Sequence, residues 1–338
     1  MPELPEVTTT ASILNRLLPG LKISSVWTDY NSPFHKGKDN IKNPPYFEKF
    51  KRNVTGKKII SVSRRGKNVL IELSEGISLL IHMKMTGHLL YGTYKTNPNS
   101  PNYLIPNKIT NSQKLKDQKI QKLKIKNSHW VNEIWTPNEP SMSPLWDPFN
   151  RFIHFVICFE NGKCLVLSDV RKFAKVIYFN TKEIDDIPDI KKLGPEPLEK
   201  SFTFKKLKER ILKRPERPIK QTLMMPEIIA GIGNIYSDEM LWASGIHPLS
   251  KPKNIPDKDF KKLYKEMVSV LKKGIDFKGD STSDYRTPSG ERGQFQHQHK
   301  AYRNTGKPCA KPKCKGVISR IKVGGRSAHF CPRHQIKF

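Results

Sequence analysis

The chain has 338 residues, 36% of them hydrophobic, which is enough for two domains with cores of their own. Its 61 Lys and Arg against 31 Asp and Glu leave a formal charge of +30, which favours polyanionic partners: DNA, RNA or an acidic membrane surface. No segment approaches the roughly 18 consecutive apolar residues of a membrane span, and the first apolar stretch follows Glu6 with no basic leader, so a cytoplasmic monomer without a membrane partner is expected.

The chain begins Met1-Pro2-Glu3-Leu4-Pro5-Glu6-Val7. A small residue after Met1 favours removal of the methionine, which leaves Pro2 with a free secondary amine. An α-amino group titrates near about 7.7 to 8.0 against about 10.4 for lysine, so such an amine is nucleophilic at neutral pH without burial. Attack on a sugar aldehyde carbon gives an iminium whose fixed positive charge drives later eliminations. The bland alternative makes Pro5 the first turn of a helix and lets Glu3 and Glu6 complement its dipole. Val7, Ile13, Leu14, Leu17 and Leu18 recur at helical spacing until Pro19-Gly20 stops them.

Short β-branched segments follow at 58–63, 68–73, 77–83, 152–159, 163–167 and 175–179, bounded by Gly, Asn or charged turns, and predict an N-terminal β-sandwich over 1–185. Within it, 93–150 is rich in Asn, Pro and Lys, with Lys114, Lys116, Lys119, Lys122, Lys124 and Lys126 crowded together. It has the composition of an inserted, mobile DNA tether lying outside the catalytic pocket. Trp130, Trp135 and Trp146 argue instead that part of it packs. Cys158 and Cys164 fall in apolar strands, where simple burial is expected and a disulfide framework is not.

After a linker at 186–202 the period turns helical, with helices expected at 204–212, 219–225, 235–243 and 259–274 in a domain over 203–290. Gly231-Ile232-Gly233-Asn234 precedes the third. Backbone N–H groups at that helix start, with Asn234 beside them, can hold a DNA phosphate; a purely structural glycine turn is the alternative. In 291–338, Cys309 and Cys314 enclose four residues, sixteen separate Cys314 from Cys331, and two lie between Cys331 and His334. That spacing suits one structural zinc ion held by three thiolates and an imidazole. His297 and His299, alternating with Gln296 and Gln298 in a strand-like run, are rival ligands. Val317, Ile318, Ile321 and Val323 predict a hairpin whose turn carries Gly324, Gly325 and Arg326. The fold class is therefore α+β.

Six blocks in order carry a resemblance: Arg65-Gly66-Lys67, Ile81-His82-Met83-Lys84-Met85-Thr86-Gly87, Asp169-Val170-Arg171-Lys172-Phe173, Leu193-Gly194-Pro195-Glu196-Pro197-Leu198, Ala230 to Tyr236, and Val323-Gly324-Gly325-Arg326. With the opening Pro-Glu-Leu-Pro-Glu, the chain resembles the formamidopyrimidine-DNA glycosylase and endonuclease VIII family over most of its length. The resemblance implies a helix-two-turns-helix domain with a zinc finger, and a bifunctional glycosylase and abasic-site lyase acting on duplex DNA that carries oxidised bases or abasic sites. It makes Pro2 the nucleophile, Glu3 the proton-transfer group, Glu6 an orienting carboxylate and Lys67 a contact to phosphate beside the lesion. Met85, Arg171 and Phe173 match the residues that fill the gap left by a flipped nucleotide. Asn234, Tyr302 and Arg326 match phosphate contacts. The stretch 283–296 resembles the lesion-capping loop of the purine branch; an enzyme for oxidised pyrimidines, or a catalytically silent nucleic-acid-binding protein of the same fold, is the alternative. The zinc pattern departs from the family twice, in its four-residue first knuckle and in His334 where a cysteine is usual.

Overall fold

The computed structural model describes residues 1–96 and 135–338. Helix α1 (Leu4–Leu17) starts in a reciprocal capping box, the Glu3 carboxylate accepting from the backbone N–H of Glu6 and the Glu6 carboxylate from that of Glu3. Its buried Val7, Ala11 and Leu14 recur every three to four residues and lie in the sandwich core.

The sandwich comprises strands β1 (Ile23–Thr28), β2 (Ile59–Arg65), β3 (Asn68–Leu73), β4 (Ile77–His82), β5 (His88–Gly92), β8 (Ile153–Phe159), β9 (Cys164–Ser168) and β10 (Lys175–Asn180), with the pair β6 (Tyr94–Thr96) and β7 (Trp135–Pro137) outside it. One antiparallel sheet has the order β1-β8-β9-β5 and the other β10-β4-β3-β2. Val69, Ile71, Leu79 and Ile81 of the second sheet share one buried core with Phe155, Ile157, Leu165 and Leu167 of the first. Two strands of the sandwich, β1 and β5, and the helix α2 (Pro44–Val54) escaped sequence reading. In β1 a bulge between Ile23 and Ser25 breaks the alternation that marks a strand. Helix α2 (Pro44–Val54) buries only Tyr46, Phe50 and Val54.

The outer face of the first sheet is covered. Leu90, Val156, Cys164 and Val166 pack with Tyr94 and Leu145, and Trp135 stands 5.9 Å from Trp27. The described part of the insertion thus packs on the sandwich, which corrects the tether expectation for 135–150. Lys114 to Lys126 and Trp130 lie outside the described residues. Cys158 and Cys164 are also corrected: they sit directly opposite one another on β8 and β9 and form a disulfide. The tight turn at Asn161-Gly162 brings them together, a signal present in the sequence.

The second domain packs α4 (Phe204–Leu212), α5 (Ile219–Leu223), α6 (Asn234–Ser244) and α7 (Asp257–Asp276) around Leu207, Leu223, Tyr236, Met240, Phe260 and Leu271. A short α3 (Pro188–Lys191) leads to the linker, where Glu196 accepts from Arg64, Arg65 and the Gly66 N–H. Burial would raise the Glu196 pKa, but Arg64 and these other donors outweigh it and hold the group below its usual range. The linker so fixes the loop that carries Lys67. The expected hairpin is β11 (Ser319–Val323) and β12 (Arg326–Phe330). No described helix is long and apolar enough to cross a membrane.

Candidate active site and zinc module

Pro2 is buried at the entrance to α1, and the glutamates beside it serve more than their own helix. The Glu3 carboxylate, 2% exposed, accepts from the backbone N–H of Ile235 at 2.9 Å and of Tyr236 at 3.4 Å. It therefore lies at the positive end of α6, 232 residues along the chain, where unpaired N–H groups and the helix dipole favour a negative charge. These are among the donors that sequence reading offered to a DNA phosphate, and here a protein carboxylate takes them. Gly231 and Gly233 exist for this approach. A Cβ on Gly233 would stand 2.3 Å from Glu3 Cδ, and one on Gly231 2.8 Å from Leu4 Cβ.

Glu6 is fully enclosed. Its Oε1 accepts from Tyr236 Oη at 2.6 Å and the Asp280 N–H at 2.8 Å, and its Oε2 from the Glu3 N–H at 2.7 Å. Burial, with the Glu3 charge adding, pushes its pKa up to about 7 against the lowering pull of those donors. Burial likewise lowers the Met1 amine, opposed by Glu3 and Glu6. Lys67 is half-buried; burial pulls its pKa down, Glu3 and Glu6 resist, and nearby Arg326 adds to the fall. Residues from the amino terminus, the β2–β3 turn, the α6 start and the hairpin thus meet in one electrostatic cluster.

Arg326 owes its place to contacts that sequence reading missed. Buried Lys220 donates to Asp238, Ser237 Oγ and the Asn234 carbonyl, while Asp238 Oδ2 accepts from the backbone and ring nitrogens of His329 at 3.0 and 2.8 Å. This chain of charges ties α5 and α6 to β12. Tyr302 lies between the rings of His299 and His329, with its backbone N–H held by Glu239.

Met85, Arg171 and Phe173 are brought together on two adjoining loops. Met85 is 42% and Phe173 49% exposed, unusual for such large apolar side chains, and the Arg171 guanidinium stands 4.5 Å from the Phe173 ring centre. Buried Asp169 joins the loops by accepting from Thr86 Oγ1 and from the N–H groups of Arg171 and Ala174. The arrangement offers an apolar wedge and a cation on a rigid base.

Among the described residues, Cys309, Cys314, Cys331 and His334 form the one cluster with metal-binding geometry, their donor atoms all within 4.8 Å of one another. Cys314 and Cys331 Sγ are 3.7 Å apart, close to the edge of a tetrahedron with Zn–S arms of about 2.3 Å. His334 turns Nδ1 to Cys309 Sγ at 3.2 Å and Nε2 to the Trp242 carbonyl at 3.0 Å, which fixes the ring for metal binding. The donor set fits zinc. His299 pairs instead with Asp280 at 2.8 Å, and 295–298 is a 3-10 turn, so neither His297 nor His299 joins the cluster and the strand-like reading of that run is corrected.

The formamidopyrimidine-DNA glycosylase N-terminal domain matches residues 1–176, the H2TH domain of the same enzymes 193–286, and the zinc finger found in FPG and IleRS 306–333. Formamidopyrimidine-DNA glycosylase of Pelotomaculum thermopropionicum is 32% identical over 99% of both chains, and that of Bacillus subtilis 31% identical over 100% of both. Among solved structures, the Lactococcus lactis Fpg complex with abasic-site DNA has a TM-score of 0.73 and 27% identity, covering 99% of this chain and 100% of that one. An Lactococcus lactis mutant complex with Fapy-dG DNA gives 0.72 and 27%, covering 98% of each. With the site geometry, these matches show that the chain belongs to the formamidopyrimidine-DNA glycosylase family.

Proposed function

We propose that the protein removes oxidised purines, such as 8-oxoguanine and formamidopyrimidines, from duplex DNA and then cuts the strand through a Pro2 iminium. The Pro2 nitrogen bonds to the sugar C1′ as the bond from C1′ to the base breaks, and the departing base takes up a proton. Glu3, a carboxylate at the start of α6, takes the proton that the Pro2 nitrogen sheds on bonding to C1′ and passes it to the ring oxygen, which opens the sugar and gives the iminium. Loss of a C2′ proton expels the 3′ phosphate, loss of the C4′ proton expels the 5′ phosphate, and water releases the sugar remnant from Pro2. Lys67, Asn234, Tyr302 and Arg326 hold the flanking phosphates. Met85, Arg171 and Phe173 fill the vacated stack, Arg171 facing the orphaned base. Zinc bound by the cysteines and His334 supplies structure to the hairpin carrying Arg326.

The observation that carries this reading is the buried Pro2, next to a Glu3 seated on the start of α6, with the charges of Glu3, Glu6 and Lys67 all acting on the adjoining amino terminus. Borohydride in the presence of an 8-oxoguanine duplex should trap a covalent complex that peptide mapping places on Pro2, and Pro2→Gly should lose it while still binding DNA. An adduct on a lysine would sink the mechanism. Preference for oxidised pyrimidine duplexes would overturn the assigned substrate.

A further inference from the structure

The segment 139–151 leaves the outer face of the sheet and meets the loop 279–296. Arg286 of that loop is 2% exposed. Its Nε lies 3.0 Å from Asp147 Oδ2, its Nη1 donates to the Ser283 and Tyr285 carbonyls at 3.1 and 2.8 Å, and its guanidinium stands 4.8 Å from the Phe149 ring centre. Asp147 is itself fixed, its Oδ1 accepting from the Phe149 N–H at 2.9 Å. Beside it the Tyr91 N–H donates to the Pro288 carbonyl, and a Cβ on Gly290 would stand 2.6 Å from the Pro144 carbonyl carbon.

The other foot of the loop stands on the catalytic corner. The Asp280 N–H donates to Glu6 Oε1 at 2.8 Å, and Tyr285 Oη donates to the Glu6 carbonyl at 3.0 Å. Between the two feet runs the tip 282–284, with Ser283 exposed and Asp284 near enough to the amino terminus to oppose the fall in its pKa. No regular element holds this tip. A buried arginine stripped of water needs its counter-charge fixed, so the place of the loop depends on the inserted segment.

We propose that Asp147, with Phe149 against the guanidinium, is a positioning residue for base excision: through Arg286 it sets the 282–284 tip over the extrahelical base. This rests on the glycosylase reading above. An abasic nucleotide has no base for the tip to meet, so the latch governs base removal and leaves cleavage at abasic sites alone.

Asp147→Asn keeps the size and the contact to the Phe149 N–H while removing the charge that Arg286 faces. In single-turnover assays with the full chain, excision of an oxidised purine should slow by about tenfold or more. A pre-formed abasic duplex should be cut at the wild-type rate, and amide exchange across 281–293 should quicken in the absence of DNA. Phe149→Leu, with the carboxylate intact, should shift excision and exchange in the same direction by less, and carries the test if Asp147→Asn does not fold. Equal losses on both substrates, no change on either, or unchanged exchange overturn the latch. A wild-type protein that acts on neither substrate overturns the glycosylase reading instead, and amide exchange then still decides whether Asp147 holds the loop.

Discussion

Gly233→Ala tests whether the start of α6 is built to seat Glu3. The Gly233 backbone, at φ −136° and ψ −153°, suits alanine, so the conflict is steric. The new Cβ would stand 2.3 Å from Glu3 Cδ, 2.5 Å from Oε1 and 2.7 Å from Cγ. Glu3 has little room to yield, because the Leu4 N–H is bonded to the Gly231 carbonyl at 3.0 Å and α1 is packed against the same turn. Relief therefore requires the carboxylate to leave the Ile235 and Tyr236 N–H groups. Each hydrogen bond to a charged group contributes about 1.5–3 kcal/mol, and partial recovery through water leaves a net loss of about 3 kcal/mol. Displacing the carboxylate by about 1 Å should also slow excision about 100-fold. Thermal unfolding and single-turnover excision measure the two losses, and affinity for lesion DNA should change far less than the rate. In a Glu3→Gln background, whose own loss is in charge, the added effect of Gly233→Ala on rate should shrink, since both changes act on one group. A Gly233→Ala protein with wild-type melting temperature and rate would refute the seat.

The remaining predictions concern the buried acid and the metal. Because Glu6 titrates higher folded than unfolded, the folded state holds its proton preferentially, and the stability this gives is present below about pH 4.5 and lost as pH rises through about 7. Denaturant unfolding from pH 5 to 8 should show that decline, of roughly 3 kcal/mol, in the wild type and a flatter profile in Glu6→Gln; equal slopes would disprove the assignment. His334→Ala should weaken zinc binding by at least about 100-fold and lower thermal stability, while His334→Cys restores both; full zinc occupancy of the alanine variant after mild chelation would remove His334 from the ligand set.

The sequence by itself determined what depends on local order. The short β-branched runs of β3, β4 and β8 between turn residues, the helical period of α4 and α7, and the spacing of Cys309, Cys314, Cys331 and His334 each report geometry set within a few residues or by a fixed coordination polyhedron. Family blocks singled out Met85, Arg171 and Phe173, whose two loops the structure then joins through Asp169. What only tertiary structure decided are the partners of buried charge: Glu3 at the start of α6, Asp169 between two loops, Lys220 with Asp238 and His329, and Arg286 with Asp147. Composition had marked 93–150 as a tether because lysine and asparagine suit solvent, yet 135–150 closes one face of the sandwich and carries the acid that anchors Arg286. Periodicity records which side of an element is dry. It carries no information about which distant group will neutralise a charge there, and a buried ion is stable only where the fold delivers that group.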